Sequence, residues 1–125
     1  MNLLLDTHVV IWALSNDPTL TGKARSAIID GRNAVFVSAA TAWEIAIKRS
    51  VGKLEAPYDF EEELLRHRFT PLDITVAHAL AVEHLPVHHQ DPFDRVIVAQ
   101  AQLENLTLVT RDKQMRKYDV KILVA

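Results

Sequence analysis

Residues 3–6 read Leu-Leu-Leu-Asp, and this short apolar run, ended by an acid, decides the fold class. Three consecutive leucines are typical of a strand that is buried on both faces, as in a parallel sheet. Asp6 is the only formally charged side chain among the first 16 residues, and it lies where the strand ends and a helix begins. The opening therefore predicts a buried strand with a carboxylate at its carboxyl end.

Short apolar runs of the same kind recur between segments with helical patterning. Strands are predicted at 34–37, 106–109 and 120–124, with a short extended segment at 69–72. Helices are predicted at 9–14, 21–29, 38–49, 60–67, 75–84, 92–104 and 113–117. This alternation favours a parallel sheet covered on both faces. We expect one α/β domain over residues 1–125, a three-layer α/β/α arrangement with about five strands, whose ligands bind outside the carboxyl ends of the strands.

The composition excludes several classes of protein. With no cysteine among 125 residues, the chain has no disulfide framework and no thiolate nucleophile or metal ligand. The net charge of −2 gives no general attraction to polyanions, so any contact with nucleic acid must use a local basic patch. We expect a cytoplasmic protein without membrane contact, because neither a signal-peptide pattern nor an apolar run of roughly 20 residues is present.

Two acids stand out in the first half of the chain, and each also has a purely structural interpretation. Asp6 can cap the helix that follows it. Glu44 is the only charge between residues 34 and 47, and it can pair with Lys48 one helical turn later. Since Glu44 lies beyond capping reach in an apolar helix, its carboxylate is costly unless a cation compensates it, which favours a functional role.

Three acids in the second half flank predicted element boundaries. Asp91-Pro92-Phe93-Asp94 is a helix-start signal in which Pro92 takes the first helical position and Asp91 caps the helix. Asp91 is therefore interpreted as mainly structural, and Asp94, at the third helical position, as the candidate site residue. Asp112 follows the strand at 106–109 by a short turn and can cap the segment after it.

These acids can share one edge of a parallel sheet, because Asp6 and Asp112 follow strands while Glu44 and Asp94 lie early in helices. Carboxylates packed together repel one another and raise each other's pKa values. A hard divalent cation relieves this repulsion, and Mg²⁺ or Mn²⁺ suits an all-carboxylate site. Such a site favours hydrolysis of phosphodiester bonds. The sequence alone leaves the convergence of the four acids open.

Four motifs resemble the PIN-domain ribonucleases and, more narrowly, the VapC toxins of bacterial toxin–antitoxin pairs. They are Leu-Leu-Asp-Thr-His at 4–8, Val-Ser-Ala-Ala-Thr-Ala-Trp-Glu-Ile-Ala-Ile-Lys at 37–48, Asp-Pro-Phe-Asp-Arg at 91–95 and Leu-Val-Thr-Arg-Asp at 108–112. The resemblance runs from Met1 nearly to Ala125. None of the four acidic positions departs from the family's pattern.

The resemblance implies a parallel five-stranded sheet and a catalytic metal site for Mg²⁺ or Mn²⁺ formed by Asp6, Glu44, Asp94 and Asp112. It also implies endonucleolytic cleavage of RNA, with transfer RNA or another structured RNA as the substrate class. The expected partners are a second copy of the chain, in a homodimer, and a small cognate antitoxin with a DNA-binding domain.

Other residues are predicted to support this site. The hydroxyls of Thr7, Ser38 and Thr110, together with Asp91, are candidates to orient the carboxylates, although each also serves as a cap or a strand-end hydrogen bonder. Candidate RNA contacts are Lys48, Arg49, Arg95 and Arg111. Trp12 and Trp43 lie in apolar helical stretches and are expected in the core. The adjacent loop residues His88 and His89 are left outside the predicted metal site.

Three alternatives are weighed against a toxin nuclease. A signalling receiver domain needs paired acids after its first strand and a lysine after its last, and this chain has neither. A PIN domain that only binds RNA or a partner would be expected to lack one of the acids. A PIN nuclease for RNA processing, outside any toxin–antitoxin pair, is disfavoured by the single-domain size and the Trp43-Glu44 motif.

Overall fold

The computed structural model describes residues 1–125 and contains five strands and six α-helices. The strands are β1 Asn2–Leu5, β2 Ala34–Ser38, β3 Thr70–Leu72, β4 Thr107–Thr110 and β5 Ile122–Val124. The helices are α1 Thr7–Leu14, α2 Gly22–Ile29, α3 Ala39–Ser50, α4 Phe60–Arg66, α5 Val76–Ala81 and α6 Pro92–Leu103. Two 3₁₀ segments complete the chain, Val82–His84 and Met115–Lys117. No helix combines the length and the apolar character needed to span a membrane.

All five strands are parallel, in the order β3-β2-β1-β4-β5, so the predicted fold class is confirmed. β1 is the central strand and each of its leucines is fully buried, which explains why its apolar run is continuous. Leu3 and Leu5 belong to one core cluster, which includes Val9 of α1. Leu4 belongs to the other, which includes Ile97 of α6. Helices therefore cover both faces of the sheet in three layers.

The strand order reverses direction at β1. From β1 the chain adds β2 and then β3 on one side, whereas β4 and β5 extend the sheet on the other. In open α/β sheets, ligands bind outside the carboxyl ends of the strands at such a switch point. The carboxyl ends of β1 and β4, at Leu5 and Thr110, are therefore where the topology favours a site.

Several predicted boundaries differ from the structure, and three of these differences have a local reason. The helix predicted at 75–84 ends at Ala81 and tightens to a 3₁₀ turn, after which Leu85 is extended, as expected for a residue that precedes proline. The segment predicted at 113–117 is only the 3₁₀ turn Met115–Lys117. β5 begins at Ile122 rather than at 120, because the residues before it form a turn in which the Val120 N–H donates to the Tyr118 carbonyl.

Candidate active site

Asp6 lies at the carboxyl end of β1 and is 5% exposed. Its Oδ1 accepts the backbone N–H of Val9 at 2.9 Å, so the predicted capping of α1 is confirmed. Its Oδ2 accepts the hydroxyl of Thr110, at the end of β4. Burial raises the pKa of Asp6, an effect that these two hydrogen bonds only partly offset. Asp6 therefore caps a helix and also presents a poorly solvated carboxylate at the switch point.

Glu44 lies in the second turn of α3 and is 3% exposed. Its Oε1 accepts the hydroxyl of Thr7 at 2.7 Å, and its Oε2 accepts the Lys48 ammonium at 2.6 Å. The i,i+4 pair with Lys48 expected of a surface acid therefore exists, but the carboxylate itself is buried. Thr7 also lies 3.2 Å from the hydroxyl of Thr41, so the Glu44 carboxylate is held between α1 and α3.

The start of α6 provides two acids with different surroundings. Asp91 Oδ1 accepts the backbone N–H groups of Phe93 at 2.8 Å and Asp94 at 3.1 Å, which confirms Asp91 as the helix cap with Pro92 inside the first turn. Asp94 has a side chain that is 18% exposed. Burial, followed by the negative charges of Asp91, Glu44 and Asp6, raises the pKa of Asp94 to about 7, although His89 opposes the shift.

Asp112 lies two positions after the end of β4, in the turn that leads into the 3₁₀ segment Met115–Lys117. Its Oδ1 accepts the N–H groups of Gln114 at 2.7 Å and Met115 at 3.3 Å. Partial burial raises the pKa of Asp112, but these two N–H groups and the His89 ring outweigh that effect, and the net shift is downward. The Asp112 side chain therefore satisfies N–H groups of the turn that leads into the 3₁₀ segment, which itself has no side-chain cap, and Oδ2 remains directed toward His89.

The four candidate acids come together at the carboxyl ends of β1 and β4. Thr7, the residue after Asp6, donates to Glu44, and the ring of His89 contacts both Asp94 and Asp112. A single hydroxyl reinforces this convergence, since Thr110 donates to Asp6 and accepts the backbone N–H of Asp112 at 3.0 Å. The acids are thus drawn from β1, α3, α6 and the end of β4.

His89 is the residue at this edge that sequence reasoning missed. Its Nε2 lies 2.9 Å from Asp94 Oδ2 and 3.2 Å from Asp112 Oδ2. The signal available in the sequence was its position two residues before Asp91, on the loop that leads into the acid-bearing start of α6. His88, by contrast, packs its ring edge-on against Tyr118.

The residues predicted to orient the carboxylates have different partners. Thr7 and Thr110 donate to Glu44 and Asp6, as described above. Ser38 instead donates to the Gln100 side chain at 2.5 Å and accepts the N–H of Ala40 at 3.0 Å. Ser38 therefore caps α3 and links it to α6, without a hydrogen bond to any of the four acids.

The four candidate RNA contacts all have partners within the chain. Lys48 pairs with Glu44, and Arg49 donates to the Pro57 carbonyl at 2.6 Å. Arg111 donates to the Ala125 carbonyl at 2.7 Å and lies over the Trp12 ring. Arg95 donates to the Tyr118 hydroxyl and to the backbone carbonyls of Val82, Leu85, Pro86 and His89. Contact with RNA stays a prediction for these four residues.

The expectation that Trp43 lies in the core is wrong. Trp43 is 60% exposed, because it lies on the outer face of α3, and its ring packs edge-on against Phe93 at 4.9 Å. The exposed Trp43 therefore contacts the half-buried Phe93, and these two residues directly precede Glu44 and Asp94 in the sequence. Trp12 is partly buried against the core.

A sizeable cavity lies elsewhere in the chain. It measures about 650 Å³ and is lined by apolar side chains such as Leu20, Ile28 and Phe69, together with Arg25 and Arg68. None of the four acids lines it. The chemistry-bearing residues are therefore at an open edge of the sheet and not inside this cavity.

The donor set fits a hard divalent cation. Carboxylate oxygens are the ligands that Mg²⁺ and Mn²⁺ prefer. Burial and mutual repulsion raise the pKa values of Asp6 and Asp94, so positive charge at this edge would stabilise the carboxylates in their ionised form. His89, Asp94 and Asp112 bring one potential ligand atom each to within 4.8 Å of one another.

Solved structures with the same fold include VapBC proteins, one of which, VapBC-5 from Mycobacterium tuberculosis, is described as a member of the VapBC family of toxin–antitoxin systems. VapBC2 from Rickettsia felis, bound to a DNA fragment from its promoter, matches with a TM-score of 0.72 and 17% identity over 99% of this chain and 98% of that one. DNA-bound VapBC from Salmonella typhimurium matches with a TM-score of 0.67 and 17% identity, over 99% of this chain and 98% of that one. FitAcB from Neisseria gonorrhoeae matches with a TM-score of 0.60 and 22% identity, over 97% of this chain and 96% of that one. At these identities the likeness shows the fold alone.

Comparisons of sequence give one match. No curated protein sequence matched the chain. The family model described as the PIN domain matches residues 3–121, which includes β1 from its second residue, β2 to β4 and all six helices. Since that match extends over nearly the whole length, and the parallel sheet carries its acids at the switch point, the chain belongs to the PIN domain family.

Proposed function

We propose that the chain is a metal-dependent endoribonuclease that hydrolyses RNA phosphodiester bonds, with Asp6, Glu44, Asp94 and Asp112 as its catalytic residues. One observation carries this function: four carboxylates from separate segments of the chain converge where β1 and β4 end, and two of them have raised pKa values. Membership of the PIN domain family supports the same chemistry. Transfer RNA or another structured RNA is the proposed substrate class.

Asp6, Glu44 and Asp94 would hold the principal Mg²⁺ or Mn²⁺, and Asp112 would complete the site. A divalent cation bound there activates water as a nucleophile and stabilises charge on a phosphoryl oxygen. Thr110 orients Asp6 by donating to Oδ2, which leaves Oδ1 to the cap of α1. Thr7 fixes Glu44 Oε1 in the same way. The hydroxyls thus limit the rotation of the two carboxylates before any ligand binds.

The nuclease activity is tested by incubating the purified chain with labelled transfer RNA in Mg²⁺ or Mn²⁺, with and without a chelator. We expect cleavage by the wild type only with the cation, and a loss of more than ~100-fold in Asp6→Asn and Asp94→Asn, since even the loss of a supporting residue costs 10–100-fold. Asp59→Asn is the matched control, because the Asp59 side chain makes no capping bond to α4. Wild-type cleavage rates in either site variant would rule out the catalytic assignment.

We propose further that the chain is the VapC-type toxin of a toxin–antitoxin pair and forms a homodimer. Support comes from the VapBC proteins that match the fold over almost their whole length. A small antitoxin with a DNA-binding domain would then be encoded beside this gene. The absence of such a reading frame, together with normal growth when the chain is expressed, would reject the toxin role and leave the nuclease activity standing.

A further inference from the structure

His89 is fixed from four directions at the edge of the acid cluster. Its backbone N–H donates to the Tyr118 hydroxyl at 3.0 Å, and its carbonyl accepts the Arg95 guanidinium at 3.2 Å. Its ring Nδ1 accepts the backbone N–H of Asp91 at 3.1 Å. Its ring Nε2 is hydrogen-bonded to Asp112 Oδ2. Both the main chain and the ring of His89 are therefore held before any ligand binds.

The bond to Nδ1 decides which ring nitrogen carries the proton. Because the Asp91 N–H can only donate, Nδ1 must offer its lone pair, and the ring proton is then on Nε2. That N–H donates to Asp112 Oδ2 at 3.2 Å, and Asp94 Oδ2 lies 2.9 Å from the same nitrogen. A nitrogen that carries a proton has no lone pair available for a cation. His89 is therefore suited to hold carboxylates and unsuited to bind metal through Nε2.

We propose that His89 is a positioning residue that links Asp94 of α6 to Asp112 after β4, by the hydrogen bond from its Nε2–H to Asp112 and by its close contact with Asp94, and that it is not itself a metal ligand. This role rests on the proposed function, because it assigns His89 to the same site. The 2.9 Å contact with the ring uses Oδ2 of Asp94, and a cation would use Oδ1. The two acids come from different segments of the chain, and His89 is the side chain that touches both.

The role of Arg95 follows from the same geometry. Its guanidinium spans the carbonyls of Pro86 and His89 and the Tyr118 hydroxyl, at 3.1 to 3.2 Å. Tyr118 in turn accepts the N–H groups of His88 and His89. Arg95 therefore holds the loop that carries His89.

The first test is the nitrogen chemical shifts of the His89 ring in the wild-type chain, recorded by NMR without metal and with saturating Mg²⁺. We expect the pattern of an Nε2–H ring in both conditions. A change to an Nδ1–H ring when Mg²⁺ is added would make His89 a ligand and overturn the proposed role. This measurement does not depend on activity or on any variant.

The second test compares Mn²⁺ affinity in His89→Leu and His89→Gln, with His88→Leu as the matched control on the same loop. We expect Leu at position 89 to weaken Mn²⁺ binding by about 10–100-fold, the usual effect of losing a side chain that orients a ligand. Gln keeps an N–H donor and should recover most of the loss, and the control should bind like the wild type. Unchanged or tighter binding in His89→Leu, or an equal loss in His88→Leu, would contradict this role.

Cleavage of RNA by the wild type is scored separately. In one outcome the wild type keeps the Nε2–H ring and His89→Leu loses Mn²⁺ affinity, but the wild type cuts no RNA. That outcome would overturn the proposed nuclease and support the positioning role. If the wild type cuts RNA but His89→Leu binds Mn²⁺ normally, the nuclease is supported and the positioning role is overturned.

Discussion

The Asp6 carboxylate divides its two oxygens between the helix that follows it and the strand beside it. Oδ1 satisfies an N–H at the start of α1, and Oδ2 accepts the Thr110 hydroxyl from β4. A cap needs only one oxygen and no burial. The burial of Asp6 and its raised pKa therefore go beyond what capping explains.

Thr110 is the residue whose loss should affect Asp6 most selectively. Thr110→Val keeps the volume and the β-branch, but it leaves the buried carboxylate without its hydroxyl donor. We expect a loss of about 1–3 kcal/mol in the free energy of unfolding, together with weaker Mn²⁺ binding. Thr110→Ser retains the hydroxyl and should lose much less. Urea denaturation and Mn²⁺ titration check both, and equal stability of the Val and Ser variants would speak against this hydrogen bond.

Asp112 could be found in the sequence only by its place after a predicted strand. The other three acids could be found because each is a solitary charge in an apolar context or a residue of a helix-start signal. Asp6 and Glu44 are of the first kind, and Asp94 is of the second. His89 could not be found in this way, because its contacts depend on a loop whose path is fixed by Arg95 and Tyr118. Trp43 was misplaced because an apolar helical stretch does not specify which side of the helix faces the sheet.

At the scale of elements, the start of α6 combines a helix cap with the candidate site. The Asp91 side chain accepts the N–H of Asp94, so the cap also fixes the backbone that carries the Asp94 carboxylate. Its charge is among the causes that raise the pKa of Asp94. The cap and the charge can be separated by substitution.

Asp91→Ala removes both cap and charge, whereas Asp91→Asn removes the charge and keeps an oxygen that can cap. We expect Asp91→Ala to lower the free energy of unfolding by ~1 kcal/mol and Asp91→Asn to stay close to the wild type. In both variants the pKa of Asp94 should fall, because a neighbouring negative charge is gone. Urea denaturation and NMR titration of the Asp94 carboxyl carbon measure the two effects. A pKa of Asp94 that stays near 7 in both variants would rule out the charge coupling.

The strands were predictable because runs such as Leu3–Leu5 are apolar on both faces, as a central parallel strand requires. The contact between α3 and α6 was not predictable from the sequence, because it depends on a buried hydrogen bond between Ser38 and Gln100. Those residues are 62 positions apart, and neither periodicity nor capping signals pair such distant polar groups. Helix ends such as Ala81 depend on local turns that the pattern does not specify.

At the scale of the whole molecule, the fold places negative charge where it is costly to the metal-free chain. The folded pKa of Asp94, about 7, exceeds its ordinary value of 3.8, so the folded state binds this proton more tightly than the unfolded state does. The contribution of Asp94 to stability is therefore fully present below about pH 4 and is lost as the pH rises through 7. At roughly 1.4 kcal/mol per pH unit, the loss is at most ~4 kcal/mol.

Asp94→Asn should remove this pH dependence. We expect the free energy of unfolding of the metal-free wild type to fall more steeply between about pH 4 and pH 7, the interval between the unfolded and folded pKa values of Asp94, than that of the variant. Mn²⁺ at about 100 times its Kd should restore ~2.7 kcal/mol to the wild type at the upper end and much less to the variant. Urea denaturation across this range measures both. Parallel curves for the two proteins would show that Asp94 does not carry the cost.

The most direct test of the central claim is the position of Mn²⁺ in crystals of the wild-type chain, located by anomalous diffraction. A cation held by the converging acids should give a peak between the carboxylates of Asp6 and Asp94, at roughly 2.0–2.3 Å from their oxygens. The Asp94→Asn variant should give no peak there under the same conditions. A wild-type crystal that binds Mn²⁺ only away from the carboxyl ends of β1 and β4, or not at all, would contradict a metal site built from these acids.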